Sequence, residues 1–519
     1  RYFFQKNEQS RVPVQSYATA SSEHYFWSDE LNTDAIGFAK TQDLCLAEQK
    51  CRQRGREFSE LFRNQYVLNR SPTRVYPGWH KKVLYGWTLH HGMALPVVPI
   101  RDANSEPVGF LLGYALKSNS LVVQDTLRLD CRLTDFNFVS QAEATFTDLA
   151  GRYVVIFLTP RSKRIYADPV CDIPVLYDST TKQVGSSLAL VLDREVQPNP
   201  DFPPRLVLEG NRTLGLQNTL DATVKRAVSN HFLDLDSFRL HRHWPSEDAI
   251  FDPTPRNTNR FMNRGLEELA TRLGNHVTAL SKAYPSIMPV TGGRDSRMLL
   301  GCSPDALENI KEFCGHRFHN QSRRDIIHGR HVVRSTGYGY TQYFKEPATC
   351  TQIKDMRLKM GWSGTRGELA ALAMIERYPR DHMVLRGNIM ELLRANQWRY
   401  TVINKPINHM MALRRLKVTR QAPRSAAKKF GNAYFNWWQT LPENAQSRAY
   451  DFAFVEQYLP NIQGPYITAM HRTPFINPFN DRRLIEIAIS MPTKLRKDGE
   501  VVKRLLQRTA PHLLKIPFV

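Results

Sequence analysis

Short apolar runs broken by turn residues fill the chain from about 83 to 195: "MALPVVPI", "PVGFLLGYAL", "RYVVIFLT", "KRIYADPV" and "IPVLYDSTTKQVGSSLALVL". Runs of this length and β-branched content, bounded by Gly, Pro, Asn and Asp, predict strands and a β-rich domain. Before them, residues 1–75 mix polar and aromatic patches without a sustained period and read as a mixed or helical extension. After them, "QPNPDFPPR" (197–205) reads as a boundary, and "DATVKRAVSNHFLDLD" predicts a short helix and a closing strand before "RHWP".

Past residue 255 the period changes. In "RGLEELATRLGNHVTALSKAY" (264–284), Leu266, Leu269, Leu273, Val277 and Leu280 fall on one helical stripe. Then "SIMPV" predicts a short buried strand, "TGGRD" a turn and "SRMLLGC" a helix. "IKEFCGHRF", "YTQYF" and "HMVLRG" continue as strands, with "RRDIIHGRHVVRSTG" and "GELAALAMIERY" as helices between them. Strand and helix alternating at this spacing predict a doubly wound parallel sheet. Pro289 argues against a central position for the first of these strands, because proline cannot donate to a ladder. The expected organisation is an extension over 1–80, a β-rich domain over 81–250 and an α/β domain over 251–519.

Composition narrows the class. A chain of 519 residues is too long for one core. With 42% hydrophobic and 23% charged residues it reads as globular rather than disordered or fibrous. No stretch has the roughly 18 uninterrupted apolar residues of a membrane helix, and the first 30 residues lack the apolar core of a signal peptide, so a cytoplasmic protein is expected. Seven scattered cysteines with no CxxC pair predict buried, reduced thiols and neither a disulfide framework nor a zinc site. A net charge of +22 favours an anionic partner. That charge is spread along the chain, its densest stretch being "RRLKVTRQAPRSAAKK" (414–429), so nucleic acid is compatible but not favoured. "YFNWWQ" (434–439) reads as helix core. A homodimer is allowed; nothing in the sequence sets the oligomeric state.

The chemistry concentrates in "TGGRDS", residues 291–296. It lies between a predicted strand and a predicted helix, where ligands of open α/β sheets sit. Gly292 and Gly293 are free to adopt positive φ and to let backbone approach a phosphate, and Thr291 and Ser296 add hydroxyl donors. Asp295 makes sense beside phosphates if Mg²⁺ lies between them. An Asp/Ser cap on an ordinary turn is the structural alternative.

"TGGRDS" resembles the S-G-G-x-D-S pyrophosphate loop of the PP-loop ATP pyrophosphatases, and three further stretches resemble the asparagine synthetase-like branch. "GRYVVIFLTPRSKRIYADPVCDIPVLYDSTTKQVGSSLALVL" (151–192) is similar to the late part of its class II glutamine amidotransferase domain. "HMVLRGNIMELLRA" (382–395) is similar to the loop that completes its nucleotide site, and 471–514 to its C-terminal stretch. The resemblance implies an Ntn-hydrolase-like β-rich domain followed by an adenine nucleotide alpha hydrolase-like domain. It also implies an AMP-forming carbon–nitrogen ligase using ATP and Mg²⁺, with a small-molecule or peptide carboxylate and an amine donor as partners. By the same resemblance Gly292, Gly293 and Ser296, with Thr291, hold the pyrophosphate, Val290, Arg386 and Gly387 line the nucleoside, Asp295 and Glu391 hold metal, and Lys503 neutralises the leaving phosphate.

The chain departs from that pattern. The family's second loop reads G-E/D-G-x-D-E; here Asn388 stands at the base position and Glu391 at the metal position. Asn388 cannot take a proton, so amine deprotonation falls to another group, or the amine arrives neutral, or the second half-reaction is lost. Arg297 and Arg394 are further departures that suit an anionic substrate group or ordinary ion pairs. The family's catalytic N-terminal cysteine has no counterpart, which predicts a β-rich domain that does not hydrolyse glutamine. His90 and His91 are adjacent on a predicted strand, so at most one of them faces a site. Two other readings stay open: a non-catalytic nucleotide-binding scaffold and a nucleic-acid-modifying PP-loop enzyme.

Overall fold

The computed structural model describes residues 44–70, 74–210, 212–251, 258–317, 322–344, 348–363, 377–399, 407–419, 422, 424–469 and 472–519. Most of the expected extension (1–43) and most of the helix expected from 367 lie outside the described residues.

The β-rich part contains β1 (Tyr66–Asn69), β2 (His80–Leu84), β3 (Trp87–His91), β4 (Val97–Arg101), β5 (Pro107–Leu116), β6 (Leu127–Arg128) and β7 (Ala150–Leu158). It continues with β8 (Lys163–Ala167), β9 (Leu176–Asp178), β10 (Gln183–Gly185), β11 (Lys225–Arg226), β12 (His231–Asp234) and β13 (Arg239–Arg242). They form two sheets, in the orders β11-β9-β10-β1-β3-β2 and β13-β12-β8-β7-β5-β4-β6. The strand β7 explains the layering, because its side chains alternate. Val154, Ile156 and Leu158 pack with Tyr66, Leu68, Trp87 and Leu89 of the facing sheet. Tyr153, Val155 and Phe157 pack on the other side with Phe138, Ala142 and Phe146 of the helix Phe138–Thr147. Burial on both faces is why "RYVVIFL" reads as an unbroken apolar run rather than an alternation.

Two expectations need correction here. Residues 44–70 are no appendage: β1 lies between β3 and β10, and the helix Leu46–Gln53 is tied to the β-rich part by Leu46 N donating to Leu192 O (2.7 Å). "DATVKRAVSNHFLDLD" forms β11 and β12 and no helix, since antiparallel partners on β9 and β8 claim its backbone. His90 and His91 are both buried on β3, where burial pushes each imidazole down to about 4 and leaves it neutral.

The second part carries the all-parallel sheet, β14 (Ser286–Pro289), β15 (Ile310–Arg317), β16 (Thr341–Phe344), β17 (Met383–Leu385) and β18 (Phe475–Ile476), ordered β16-β15-β14-β17-β18. The helix α1 (Thr258–Ala283) precedes it and buries all five stripe residues from Leu266 to Leu280. The helices α2 (Asp295–Gly301) and α3 (Ser322–Arg334) follow β14 and β15. The strand β14 is central despite Pro289. Proline sits at its last position, and the β17 ladder covers only Ser286 and Ile287, so the missing donor falls where pairing on that side has ended. Farther on, α4 (Arg424–Gln439) buries Tyr434 and Trp437 of the expected aromatic core, with Phe430 before it, but leaves Phe435 exposed, and Trp437 Nε1 donates to Glu456 Oε2 (2.8 Å).

From Asp43 to Val519 the chain forms one compact unit. The α5 helix (Arg482–Ser490) joins the two parts through a buried arginine. Arg482 donates to Asn230 Oδ1 (3.0 Å), Tyr153 Oη (2.9 Å) and Ala167 O (2.8 Å). Beside it, Asn480 Nδ2 donates to Gly151 O and Asp168 Oδ1 (both 2.8 Å), while Asp172 accepts from Gln463 (2.7 Å) and Asn477 (2.9 Å). Among the described residues no helix is long and apolar enough to cross a membrane.

Removing Arg482 takes its donors away from buried Asn230 Oδ1, Tyr153 Oη and Ala167 O, at a cost of about 3 kcal/mol. Arg482→Met is expected to lower the thermal midpoint and to give two calorimetric transitions where the parent is expected to give one.

Candidate active site at the carboxyl ends of the parallel strands

In a 3-2-1-4-5 sheet, strand order reverses between strands one and four, and the crevice beyond their carboxyl ends is where ligands bind. Here those strands are β14 and β17, and the turns that leave them are "TGGRDS" and "RGNIMELLR". The two turns touch backbone to backbone. A Cβ on Gly387 would lie 2.9 Å from the Asp295 carbonyl and 3.0 Å from Ser296 N, so glycine there is a condition of the approach.

The glycine turn is held differently from the expectation. Neither Gly292 nor Gly293 has positive φ. Gly292 is glycine because Val519 and His328 pack over it, 2.5 and 2.7 Å from where its Cβ would be. Its N–H donates to Asp325 O (3.0 Å), and its carbonyl accepts from Arg297 Nη2 (3.1 Å) and Val519 N (3.2 Å). Gly293 N donates to Thr291 Oγ1 (3.2 Å), and Thr291 N donates to Ser296 Oγ (3.0 Å). The donors left for an anion are the amides that open α2, which have no intrahelical acceptor. Val290 is buried, and its carbonyl accepts from the Tyr340 hydroxyl (2.9 Å).

The charged groups meet at Asp295. Arg394 grips it as a two-pronged fork, Nε to Oδ1 (2.9 Å) and Nη2 to Oδ2 (2.6 Å). Burial pushes the Asp295 carboxyl up, while Arg394 and Arg294 pull it down. Glu391, one turn before Arg394, has Oε2 buried with no hydrogen-bond partner. Burial, and then the neighbouring Asp295 carboxylate, raises it from the usual 4.5 to about 7. Both carboxyls are raised by burial: at Asp295 the guanidinium offsets part of the rise, and Glu391, with no such partner, goes to about 7.

Glu391 and Arg394 ride on a single 3-10 turn, Met390–Arg394, bracketed by two buried non-glycine residues in the left-handed region, Ile389 (φ 73°) and Ala395 (φ 45°). Ile389 stands where the resembled motif has glycine, and such a conformation costs a β-branched residue about 1–2 kcal/mol. Arg496 holds the turn in place. Its Nη1 donates to Leu392 O (2.8 Å), and its guanidinium forms a fully buried pair with Asp451, which also accepts from Trp398 Nε1 (2.9 Å).

The other expected residues divide. Arg386 Nη1 donates to the Tyr466 hydroxyl (3.2 Å), and its guanidinium carbon lies 5.4 Å from the Phe475 ring centroid. Asn388 is half-buried in the turn after β17. Arg297 is buried and turned away from the crevice. Besides the Gly292 carbonyl it serves Leu513 O (3.1 Å), Ile516 O (2.5 Å) and Pro517 O (3.0 Å), and it stacks on Phe518. Its role is to tie the glycine turn to the tail. Lys503 is exposed on α6 (Glu500–Thr509), and no hydrogen bond or ion pair among the described residues joins it to Asp295 or Glu391. Arg294 Nη1 instead comes near Gly499, the residue before α6, 3.6 Å from where a Cβ there would lie.

The fit to the implied cofactors is uneven. The α2 amides and Arg394 suit the anionic end of a nucleotide, and Arg386, beside Tyr466 and Phe475, suits its nucleoside. A resident Mg²⁺ does not fit this donor set: both Asp295 oxygens are in the Arg394 fork, Glu391 keeps its proton up to about 7, and the described residues contain no group of three or more His, Cys, Asp or Glu able to hold a metal. Tyr340, Asp325, Arg496 and the tail residues Phe518 and Val519 also shape the site and carry no local motif, since each acts through a contact with a distant element.

The fold and site define a mixed α/β protein with two antiparallel-rich sheets and one all-parallel sheet, which gathers an ion pair and a protonatable carboxyl at its strand-order reversal. No protein-family model and no curated protein matches the chain.

Gly387→Ala is expected to force the two turns apart and to lower the urea midpoint by the equivalent of about 1–3 kcal/mol. Glu391 titrates higher in the folded protein than its usual 4.5, so its contribution to stability is complete below about 4.5 and is lost as pH rises through about 7. Glu391→Gln, which stays neutral, should match the parent in denaturant unfolding below that window and exceed it above.

Proposed function

We propose that the crevice between β14 and β17 binds ATP and that the protein is an AMP-forming carbon–nitrogen ligase of asparagine synthetase-like kind, acting in the cytoplasm. The observation that carries this reading is the meeting of "TGGRDS" and "RGNIMELLR" at the strand-order reversal, the place where such a sheet binds ligands. In the first step a substrate carboxylate oxygen attacks the α-phosphorus, the bond to the β-phosphate oxygen breaks, and pyrophosphate leaves. In the second, ammonia or an amine attacks the acyl carbon, AMP leaves, and the nitrogen gives up a proton. The amides opening α2 stabilise charge on the departing phosphates, helped by Arg394. Arg386, braced by Tyr466 and Phe475, lies on the nucleoside side.

Glu391 accepts the proton that Asn388 cannot. A carboxyl raised to about 7 is matched to that task near neutral pH. The β-rich part serves as an amidotransferase-like scaffold without glutamine hydrolysis. The Cys-Gly pair of the chain, Cys314-Gly315, lies within β15, where burial pushes the thiol well above its ordinary value and away from nucleophilic use. One observation favours a second reading, a nucleotide-binding scaffold: the amides of Gly292 and Gly293 already have acceptors within the protein.

The test is exchange of labelled pyrophosphate into ATP across a panel of carboxylates. A carboxylate-dependent signal supports the ligase, and binding of an ATP analogue without exchange on any carboxylate supports the scaffold. With an active carboxylate in hand, Glu391→Gln should retain exchange and lose amide formation by about tenfold or more, because only the second step releases a proton to the protein.

A further inference from the structure

The expected place for a catalytic metal is filled by a side chain. We infer that Arg394 replaces a protein-held Mg²⁺, so that the chain binds the phosphates of its nucleotide with a guanidinium in the position where a divalent cation would bridge them to Asp295. The inference rests on the nucleotide reading above and specifies how that site handles phosphate charge.

Geometry carries it. Arg394 meets Asp295 edge to edge, both oxygens paired at 2.9 and 2.6 Å, which occupies a lone pair on each oxygen and commits the carboxylate's charge to a guanidinium in place of a metal. The pair is partly open to solvent, with the Arg394 side chain 27% exposed, so Nη1, which no hydrogen bond among the described residues occupies, remains available to an anion. A guanidinium presents five donors in a plane and suits phosphate oxygens in pairs while one edge stays on a carboxylate. The second carboxyl, Glu391, is on the same 3-10 turn as Arg394 and has Oε2 buried and unpartnered. A divalent ion needs several oxygens around it, and the described residues hold no group of three or more His, Cys, Asp or Glu to supply them.

The backbone supports the same conclusion. Arg394 closes the 3-10 turn between two left-handed residues, and Arg496 fixes that turn from behind through Leu392 O. The fork is therefore delivered by a rigid, strained segment, where a surface ion pair would ride on free rotamers. Asp295 acts as a positioning residue that aims the guanidinium, and Arg394 supplies the charge.

Binding of inorganic pyrophosphate and of a non-hydrolysable ATP analogue to the full chain, measured by calorimetry with excess EDTA and again with excess Mg²⁺, tests the inference. The expected result is binding in EDTA within about threefold of that in Mg²⁺. Arg394→Ala should weaken pyrophosphate binding in EDTA by about tenfold or more and should make it respond to Mg²⁺, because Asp295 is then free to ligate; Arg394→Lys should recover only part of the loss. A parent that binds only with Mg²⁺ overturns the replacement while leaving the nucleotide reading intact. A parent that binds neither probe under either condition overturns the nucleotide reading and this inference with it. The parent comparison needs no variant, so a misfolded Arg394→Ala protein does not remove the test.

Discussion

The ion pair between Asp295 and Arg394 is the constraint around which the second part of the molecule is arranged. It joins the turns leaving two neighbouring parallel strands at the point where the sheet changes direction, across a backbone approach that only glycine at 387 allows. Without the pair, one edge of the crevice would hold a partly buried carboxylate facing a second carboxyl, an arrangement that self-repulsion opposes. With it, the Asp295 carboxylate has a counter-charge, and the second carboxyl, Glu391, is raised to about 7, where it can exchange a proton near neutral pH. The chemistry proposed for the site follows from that division.

That arrangement is maintained against local preference. Ile389 and Ala395 are held in a backbone region that neither residue favours, and the turn between them stays formed because deeper structure leaves it no alternative. The Arg496–Asp451 pair is fully buried, and Trp398 and the Leu392 carbonyl satisfy further hydrogen bonds around it. Such a network adds little net stability over a packed apolar core and imposes a single geometry, which suits a support for a site. The glycine turn is braced by the same means: Arg297 binds carbonyls of the turn and the tail at once, and Phe518 covers its guanidinium.

These arginines alter the meaning of the basic composition. Arg152, Arg212, Arg226, Arg297, Arg482 and Arg496 are all buried, so part of the +22 lies inside the molecule, on carbonyls, rings and carboxylates, and is not displayed as a polyanion-binding surface. Arg482 shows the use made of it. One guanidinium contacts Asn230, Tyr153 and Ala167 of the β-rich part from a helix of the α/β part, so the two parts meet through directional polar contacts. A net charge counted along the chain predicts long-range attraction only for the charges that remain in solvent.

Periodicity in the sequence was enough to place most of the regular structure, because side-chain period is a local property. "PVGFLLGYAL" is β5, the Leu266–Leu280 stripe faces the core, and strand alternates with helix from β14 onward. The two candidate turns were legible for the same reason, as glycine and polar residues at the ends of apolar runs. The pairing between them was not. Asp295 and Arg394 are 99 residues apart, and their contact exists because β17 inserts beside β14 and not at the sheet edge. Likewise β1 could not be recognised from four residues alone, since a strand's place depends on partners elsewhere in the chain. The sequence by itself determined which segments have an apolar face and which turns carry chemistry. Only the tertiary structure decided that a guanidinium sits where a metal was expected, that the tail covers the first glycine and that Glu391 Oε2 is out of water, because burial and ion pairing depend on contacts made across the whole chain.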